Sequence, residues 1–256
     1  MAEPLTIDLN CDLGESFGRY RLGDDAAMMQ WITSANVACG FHAGDPQVMA
    51  ETVALAVKHK VALGAHPGYP DLQGFGRRQM ALTADEVTQI ILYQLGALAA
   101  FAKAAGVPLA HVKPHGALYN FAARDQATAE AIASAVAAFD PTLILVGLAG
   151  SKSIEAGEWA GLQVANEGFP DRAYLPSGEL MPRSQPGAVI TEPEAVAANA
   201  VRLAREGISV AGKKVRIDTL CLHGDNPQAA ANAKGVRQSL EEEGIIVRSL
   251  KRNPQE

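Results

Sequence analysis

Cysteine is scarce in this sequence, and the few cysteines are far apart. The chain of 256 residues contains three, Cys11, Cys39 and Cys221. An odd number of widely spaced thiols does not suit a disulfide framework, and no CxxC pair marks a zinc ribbon. Such sparse usage is typical of a reducing compartment. We therefore expect the three thiols to be small buried groups near strand ends.

Long hydrophobic runs and an excess of positive charge are also lacking. No apolar run approaches the roughly 18 residues that a membrane span requires, and the first residues, MAEPLTIDLN, lack the basic and apolar regions of a signal peptide. The net charge is −6 and the sequence pI is about 5.6. Nucleic acid and anionic membranes are therefore not expected partners, and the cytoplasm is the expected location.

No linker rich in Ser, Gly or Pro divides the chain, so residues 1–256 are expected to form one domain. Apolar strand patterns alternate with helical patterns about seven times, which indicates a parallel α/β fold. Strands are predicted within Leu5–Gly18 and at Ser34–Cys39, Val61–Ala65, Leu109–Lys113, Thr142–Val146, Gln163–Asn166 and Ile217–Leu222, with a short edge strand at Ile245–Val247. Helices are predicted at Asp24–Trp31, Pro46–Lys60, Thr83–Ala105, Pro193–Glu206 and Pro227–Glu243, with an Ala-rich one ending at Phe139.

The first strand carries a polar face. In LTIDLNCDLGESFG, Ile7 and Leu9 alternate with Asp8, Asn10 and Asp12, and strand side chains alternate between faces. An edge strand with a solvated face would show the same pattern. Because later strands repeat the sequence of apolar strand, polar cluster and Gly or Pro, we interpret this face as the wall of a site.

The later clusters all follow predicted strands. They read GFHAGDP, HPGYPDLQGFGRR, PHGALYN, EGFPDRAYLPSGELMPRSQPG and HGDNP, and the fourth is long enough to be an ordered lid. Substrates bind at this end of the strands both in (β/α) barrels and in doubly wound sheets. We favour a barrel, because clusters from at least six strand ends must converge, and no GxGxxG motif follows the first strand.

The clusters allow two kinds of chemistry. One is a divalent metal, Mg or Zn, held by Asp12, His42 and His66. The other is metal-free acid–base work by histidines and carboxylates. The predicted catalytic residues are Asp12, His42, His66, Lys113, His115 and His223, and the predicted substrate-binding residues are Asp8, Asn10, Glu15, Asp45, Arg77, Tyr119, Glu167, Arg172, Arg183 and Asp225.

The cations in these clusters have separate predicted roles. Arg77, Arg78, Arg172 and Arg183 lie in loops where a guanidinium group can grip a carboxylate or phosphate, although surface salt bridges would also explain them. Lys113 ends a strand beside a histidine, where it can meet a developing oxyanion. The stretch GLAGSKS lacks the spacing of a phosphate loop, so we expect it to begin a helix.

Taken in order, these stretches resemble the LamB/YcsF family. The matching pieces are DLNCDLGESFG, NVACGFHAGDP, GAHPGYPD with GFGRR, HVKPHGALYN, LILVGLAGS, EGFPDRAY, PRSQPGAVI and CLHGDNP, which span Asp8 to Pro227. The resemblance implies a seven-stranded (β/α) barrel related to glycoside hydrolase and deacetylase barrels. It also implies cleavage of 5-oxo-L-proline to L-glutamate with ATP hydrolysis, together with separate subunits B and C.

Two alternatives remain open at this point. A metal-dependent deacetylase or amidohydrolase acting on an N-acyl or sugar substrate would use the same Asp and His residues. A non-catalytic subunit would only bind 5-oxoproline. Since the sequence has no phosphate loop, we expect the partner subunits to handle much of the ATP.

Overall fold

The structure, a computed structural model, describes residues 4–224 and 228–252. Seven parallel strands close into a barrel in the order β1-β2-β3-β4-β5-β6-β9, and β9 returns to pair with β1. The predicted seven-stranded (β/α) barrel is confirmed. The strands are β1 Thr6–Leu13, β2 Ser34–Ala38, β3 Ala62–His66, β4 Leu109–Val112, β5 Ile144–Leu148, β6 Gln163–Gly168, β7 Ile208–Val210, β8 Lys213–Val215, β9 Thr219–Leu222 and β10 Ile246–Val247.

Helices cover the outside of the barrel. They are α1 Asp25–Met28, α2 Pro46–His59, α3 Ala84–Ala104, α4 Gly116–Ala122, α5 Gln126–Phe139, α6 Lys152–Trp159, α7 Pro193–Glu206 and α8 Ala229–Glu242. Their starts follow the sequence signals: the Asp45 side chain caps α2 ahead of Pro46, and Thr83 and Glu86 form the predicted capping box of α3.

One local prediction was only partly right, and one element was missed. The Ala-rich helix expected to run to Phe139 is two helices, because the Asp125 carboxylate accepts a hydrogen bond from the Thr128 N–H and so begins α5 anew. The strands β7 and β8 form an antiparallel hairpin that was not predicted. Their three-residue length gives too short a pattern to recognise.

The barrel wall separates an apolar layer from a polar interior. Ile7, Leu9 and Cys11 of β1 are buried in the core between barrel and helices. The alternating residues Asp8 and Asn10 are equally buried but belong to a hydrogen-bonded network. All three cysteines are free and buried, as predicted.

The barrel closes along one edge of β1, and two strands, β9 and β10, pair with different parts of this edge. Asp8 to Cys11 pair with β9, whereas Thr6 and Ile7 pair with β10. The edge strand predicted at Ile245–Val247 therefore pairs with the amino-terminal end of β1, next to the residues of β1 that pair with β9.

Helix α3 is apolar enough to match a membrane span by length and composition, with a mean hydropathy of 1.3 over its most apolar window. The expectation that no segment approaches such a span was therefore too strict. Here the helix packs against the barrel through Val87, Ile91, Leu95 and Leu98. The Gln94 side chain is fully buried and hydrogen-bonds both the N–H and the C=O of Gly68, a fixed polar contact typical of a core helix.

Candidate active site

A cavity of about 460 Å³ opens at the carboxyl ends of the strands, where barrel enzymes place their sites. Most of the predicted site residues meet there. Those that line it are Asp12, Glu15, His66, Arg77, Lys113, His115, Tyr119, Arg172, Arg183 and His223. Asp225 lies outside the described residues.

Three histidines and a glutamate form a compact group on one side of the cavity. One side-chain N or O atom from each of Glu15, His42, His66 and His115 lies within 4.8 Å of all the others. His42 and His115 stack with their ring centroids 3.7 Å apart, and His66 meets both rings edge-on. We call these four residues the histidine cluster. They come from the ends of four successive strands.

Backbone carbonyls fix the orientation of two of these rings. His66 Nδ1 lies 2.7 Å from the Lys113 carbonyl oxygen, and His115 Nε2 lies 2.8 Å from that of Phe75. Since a carbonyl only accepts, both nitrogens carry a hydrogen. The remaining atoms, His66 Nε2 and His115 Nδ1, face each other at 2.9 Å, so one proton must lie between them.

That proton belongs to His66. Burial opposes its protonation, but the Asp12 carboxylate, 3.3 Å from Nε2, outweighs burial and raises the pKa of His66. Burial, followed by the neighbouring imidazoles, lowers the pKa of His115 to about 3. His42 has its pKa lowered well below the usual value by burial and by His66. The environment therefore favours the charged form of His66 and the neutral forms of the stacked pair His42 and His115.

The same arrangement fits a divalent metal. If a cation replaced the shared proton, His66 Nε2 and His115 Nδ1 would both offer lone pairs, with His42 Nε2 and Glu15 Oε1 beside them. The carbonyl bonds to the opposite ring nitrogens are those that metal-binding histidines usually make. Asp12, predicted as a ligand with His42 and His66, lies beside His66 rather than within the compact set, and its role remains a prediction.

The turn at Phe75 and Gly76 is in close contact with the histidine cluster. Phe75 is in the left-handed region with φ +53°, and its carbonyl oxygen is the one that holds His115. A Cβ atom at Gly76 would lie 2.8 Å from both His115 Cδ2 and His42 Cβ. Only glycine therefore fits at this approach. The sequence run GFGRR signalled a loop but not this contact.

Lys113 joins the two sides of the barrel interior. Its ammonium group, in a side chain only 3% exposed, lies 2.7 Å from Glu167 Oε1 and 3.0 Å from Asp12 Oδ1, with further contacts to Asn10 and Cys221. Burial opposes its charge, but Asp12 leads the groups that raise its pKa well above the usual value. Its three N–H donors are already used, so Lys113 organises carboxylates in this structure.

Three other acidic residues predicted to bind substrate, Asp8, Asp45 and Glu167, make hydrogen bonds or ion pairs within the protein. Asp8 accepts hydrogen bonds from Thr33, Ser34 and Thr219 below the cavity, and burial raises its pKa. Asp45 caps α2. Glu167 accepts from the Tyr119 hydroxyl at 2.6 Å as well as from Lys113.

A second acid–base group lies across the cavity. His223 Nδ1 is 2.6 Å from Asp171 Oδ2, and the Arg183 guanidinium approaches His223 Nε2 at 3.2 Å. Arg183 can only donate, so Nε2 accepts and Nδ1 carries a hydrogen. Nδ1 has no hydrogen-bond partner among the described residues, so its contact with Asp171 is electrostatic. Burial opposes ionisation of Asp171, but His223 outweighs it and lowers the pKa of this carboxyl. Asp171 was not among the predicted site residues.

The irregular stretch after β6 is an ordered wall of the cavity. Arg172, predicted to grip an anion, donates to the carbonyl oxygens of Ala188 and Met181 and so ties this stretch together. Two cavity residues on and after α4 were missed, Asn120 and Arg124. Arg124 follows the PHGALYN cluster by four residues, beyond the segment that looked unusual.

The fold and its cavity define a (β/α)-barrel protein with a histidine- and carboxylate-rich site that could bind a metal. The profile of the LamB/YcsF family matches residues 7–255. The chain belongs to that family.

Known proteins similar to this chain include one from Syntrophobacter fumaroxidans named as the A subunit of 5-oxoprolinase, 59% identical over 95% of this chain and 98% of that protein. The crystal structure of a lactam utilization protein from Thermus thermophilus has a TM-score of 0.89 at 53% identity, covering 96% of this chain and all of that one. The catalytic domain of a peptidoglycan N-acetylglucosamine deacetylase from Eubacterium rectale shares the fold alone, with a TM-score of 0.52 at 11% identity and 97% and 89% coverage.

Proposed function

We propose that this chain opens the ring of 5-oxo-L-proline to give L-glutamate, in a reaction coupled to hydrolysis of ATP to ADP and phosphate. It would act in the cytoplasm, in a complex with subunits B and C. The observation that carries the proposal is the match along 95% of the chain to a relative named as the A subunit of 5-oxoprolinase. The cavity supplies groups on two sides, as a hydrolysis that needs both a base and an acid requires.

The chemistry of the substrate explains the need for ATP. A lactam is a poor electrophile, so phosphorylation of its amide oxygen makes the carbonyl carbon easier for water to attack. A phosphate loop is absent from the sequence, and the proposal assigns the nucleotide to the partner subunits. This chain then receives the activated ring.

Each side of the cavity has its own task in this proposal. The histidine cluster and Asp12 orient the attacking water and accept its proton. A divalent metal bound by Glu15, His42, His66 and His115 would increase the acidity of that water. His223 would deliver a proton from Nε2 to the departing ring nitrogen, after Arg183 has turned to the substrate carboxylate and Nε2 has taken up a proton from water, with Asp171 remaining beside Nδ1. Lys113 holds Asp12 and Glu167 in place, and Arg77 and Arg183 are the candidates for binding the substrate carboxylate.

The test is reconstitution. The purified chain is mixed with subunits B and C, ATP and 5-oxo-L-proline, and both glutamate and phosphate are measured. We expect His115→Ala and Asp12→Asn to abolish glutamate formation, whereas His59→Ala, on the outer helix α2, should leave it intact. Full activity of both site variants would instead favour a subunit that only binds the substrate.

The histidine cluster favours one other candidate, a metal-dependent hydrolase of an N-acyl or sugar amide that needs no ATP. Its donors converge as those of metal hydrolases do. In that case the chain alone would release acetate from an N-acetyl substrate, a chelator would stop it, and ATP would have no effect.

A further inference from the structure

The loop that follows β1 exposes an unusual set of side chains at the edge of the cavity. Residues 17–24 are all exposed. Tyr20 is 81% exposed, and Phe17 and Leu22 are each more than a third exposed. Arg19 and Arg21 flank the tyrosine. We call residues 16–22 the rim loop.

The rim loop is held in one conformation although it is exposed. Phe17 and Tyr20 exchange two backbone hydrogen bonds of 3.0 and 2.9 Å. The Ser16 hydroxyl accepts from the Leu22 N–H at 3.0 Å and so closes the base of the loop. The Gly18 N–H donates to Asp45 Oδ2 at 2.7 Å, which ties the tip to the start of α2. Apolar side chains are therefore presented to solvent on a preformed support, which lowers the entropy lost on binding.

The composition of the loop is that of a protein-binding surface. Tyrosine and arginine are the residues that most often dominate the binding energy of protein interfaces, and here one tyrosine stands between two arginines. Leu22 belongs both to the loop and to the lining of the cavity. A protein seated on the loop would therefore also border the cavity.

We propose that the rim loop docks a partner subunit whose contact surface is rich in carboxylates. The inference rests on the proposed function, because it takes the partner to be the complex of subunits B and C. A second copy of this chain is disfavoured: a symmetric pairing would place Arg19 and Arg21 of one copy against the same arginines of the other. Within this chain, Arg21 lies 4.0 Å from Glu51 with both side chains exposed, and it also helps to lower the pKa of Asp45. Since these contacts are exposed, Arg21 remains able to face an incoming carboxylate.

The experiment measures the affinity of this chain for the complex of B and C by calorimetry. Tyr20→Ala should weaken binding at least tenfold, and Tyr20→Phe should restore most of it because the aromatic ring is kept. Arg19→Glu should weaken binding most at low salt and less at high salt. The control is Trp159→Ala, since Trp159 is 91% exposed but ends α6 just before the amino end of β6, whereas the rim loop follows the carboxyl end of β1.

The outcomes are distinct. Unchanged affinity of Tyr20→Ala and Arg19→Glu, or a loss caused by Trp159→Ala instead, would overturn the proposed docking site while leaving glutamate formation by the wild-type mixture as separate support for the proposed function. A wild-type chain that neither binds B and C nor forms glutamate with them would overturn both. A shift from dimer to monomer in the purified Tyr20→Ala chain, with partner binding unaltered, would assign the loop to self-association and refute the proposal.

Discussion

The two sides of the cavity are built in different ways. On the histidine-cluster side, the rings are buried and two of them stack, and backbone carbonyls fix two of the three imidazoles. On the opposite side, His223 and Arg183 are more exposed, and they lie beside a long irregular stretch that many backbone hydrogen bonds hold in place. One half of the cavity therefore consists of buried, fixed rings, whereas the other presents more exposed side chains to a bound molecule.

Lys113 connects the two halves, and its loss should have the largest effect. In Lys113→Met the carboxylates of Asp12 and Glu167 lose their shared buried cation, so we expect the free energy of unfolding to fall by about 3–5 kcal/mol. Urea denaturation measures it. The matched control is Lys152→Met, whose exposed pair with Glu155 should contribute no more than about 1 kcal/mol. Equal effects of the two changes would contradict the linking role.

On the more exposed side, the contact between Asp171 and His223 should matter for rate more than for stability. Asp171→Asn keeps the shape but removes the carboxylate charge beside His223 Nδ1, so kcat of the reconstituted enzyme should fall about a hundredfold. The unfolding midpoint should change little. An unaltered pH–rate profile together with wild-type kcat would exclude His223 from the proton transfer.

On the histidine-cluster side, Gly76→Ala should displace the rings without removing any polar group. The added Cβ would lie 2.8 Å from His115 and His42, so metal affinity, measured by titration with Zn²⁺, should fall about tenfold. Gly212→Ala is the matched control: its φ of +80° carries the same backbone strain, but nothing lies within 4 Å of the new Cβ. If both variants bind Zn²⁺ like the wild type, the contact has no role in holding the cluster.

The smallest effect concerns the turn that carries Phe75. Arg78 donates to Asp71, which also accepts from the Gly74 N–H, and these bonds lower the pKa of Asp71 to about 2. Because the folded pKa lies below the unfolded value near 3.8, the stabilisation is present above about pH 4 and is lost between about pH 4 and 2. Asp71→Asn should therefore lower stability slightly at about pH 6 and not at all at about pH 2. Urea midpoints at the two pH values check this.

Sequence patterns were sufficient for most of the fold. Strand alternation, the Asp45 and Thr83 caps and the Pro and Gly stops are local signals, and they placed the barrel strands within a few residues. The break before α5 and the short hairpin of β7 and β8 were missed because one aspartate cap and three-residue strands give little pattern.

The candidate site was predicted less completely. Polar residues after strands identified which segments meet, because parallel strands bring their carboxyl ends together. Which atoms touch depends on packing that no pattern encodes. Three such contacts join segments that are far apart in the chain. They are the hydrogen bond between the Phe75 carbonyl and His115, the ion pair of Lys113 with Glu167, and the contact between Asp171 and His223.

Closure of the barrel between β1 and β9 has a consequence for the order of assembly. Asp8 pairs with Thr219, more than two hundred positions later, and Lys113 needs both Asp12 and Glu167. A nascent chain emerging from the ribosome cannot complete this ring until most of its length has been synthesised, and such long-range pairing is slow. Until then, β1 lacks its partner strand and its acidic residues stay hydrated. The cavity can therefore form, and become active, only when synthesis of the chain is nearly complete.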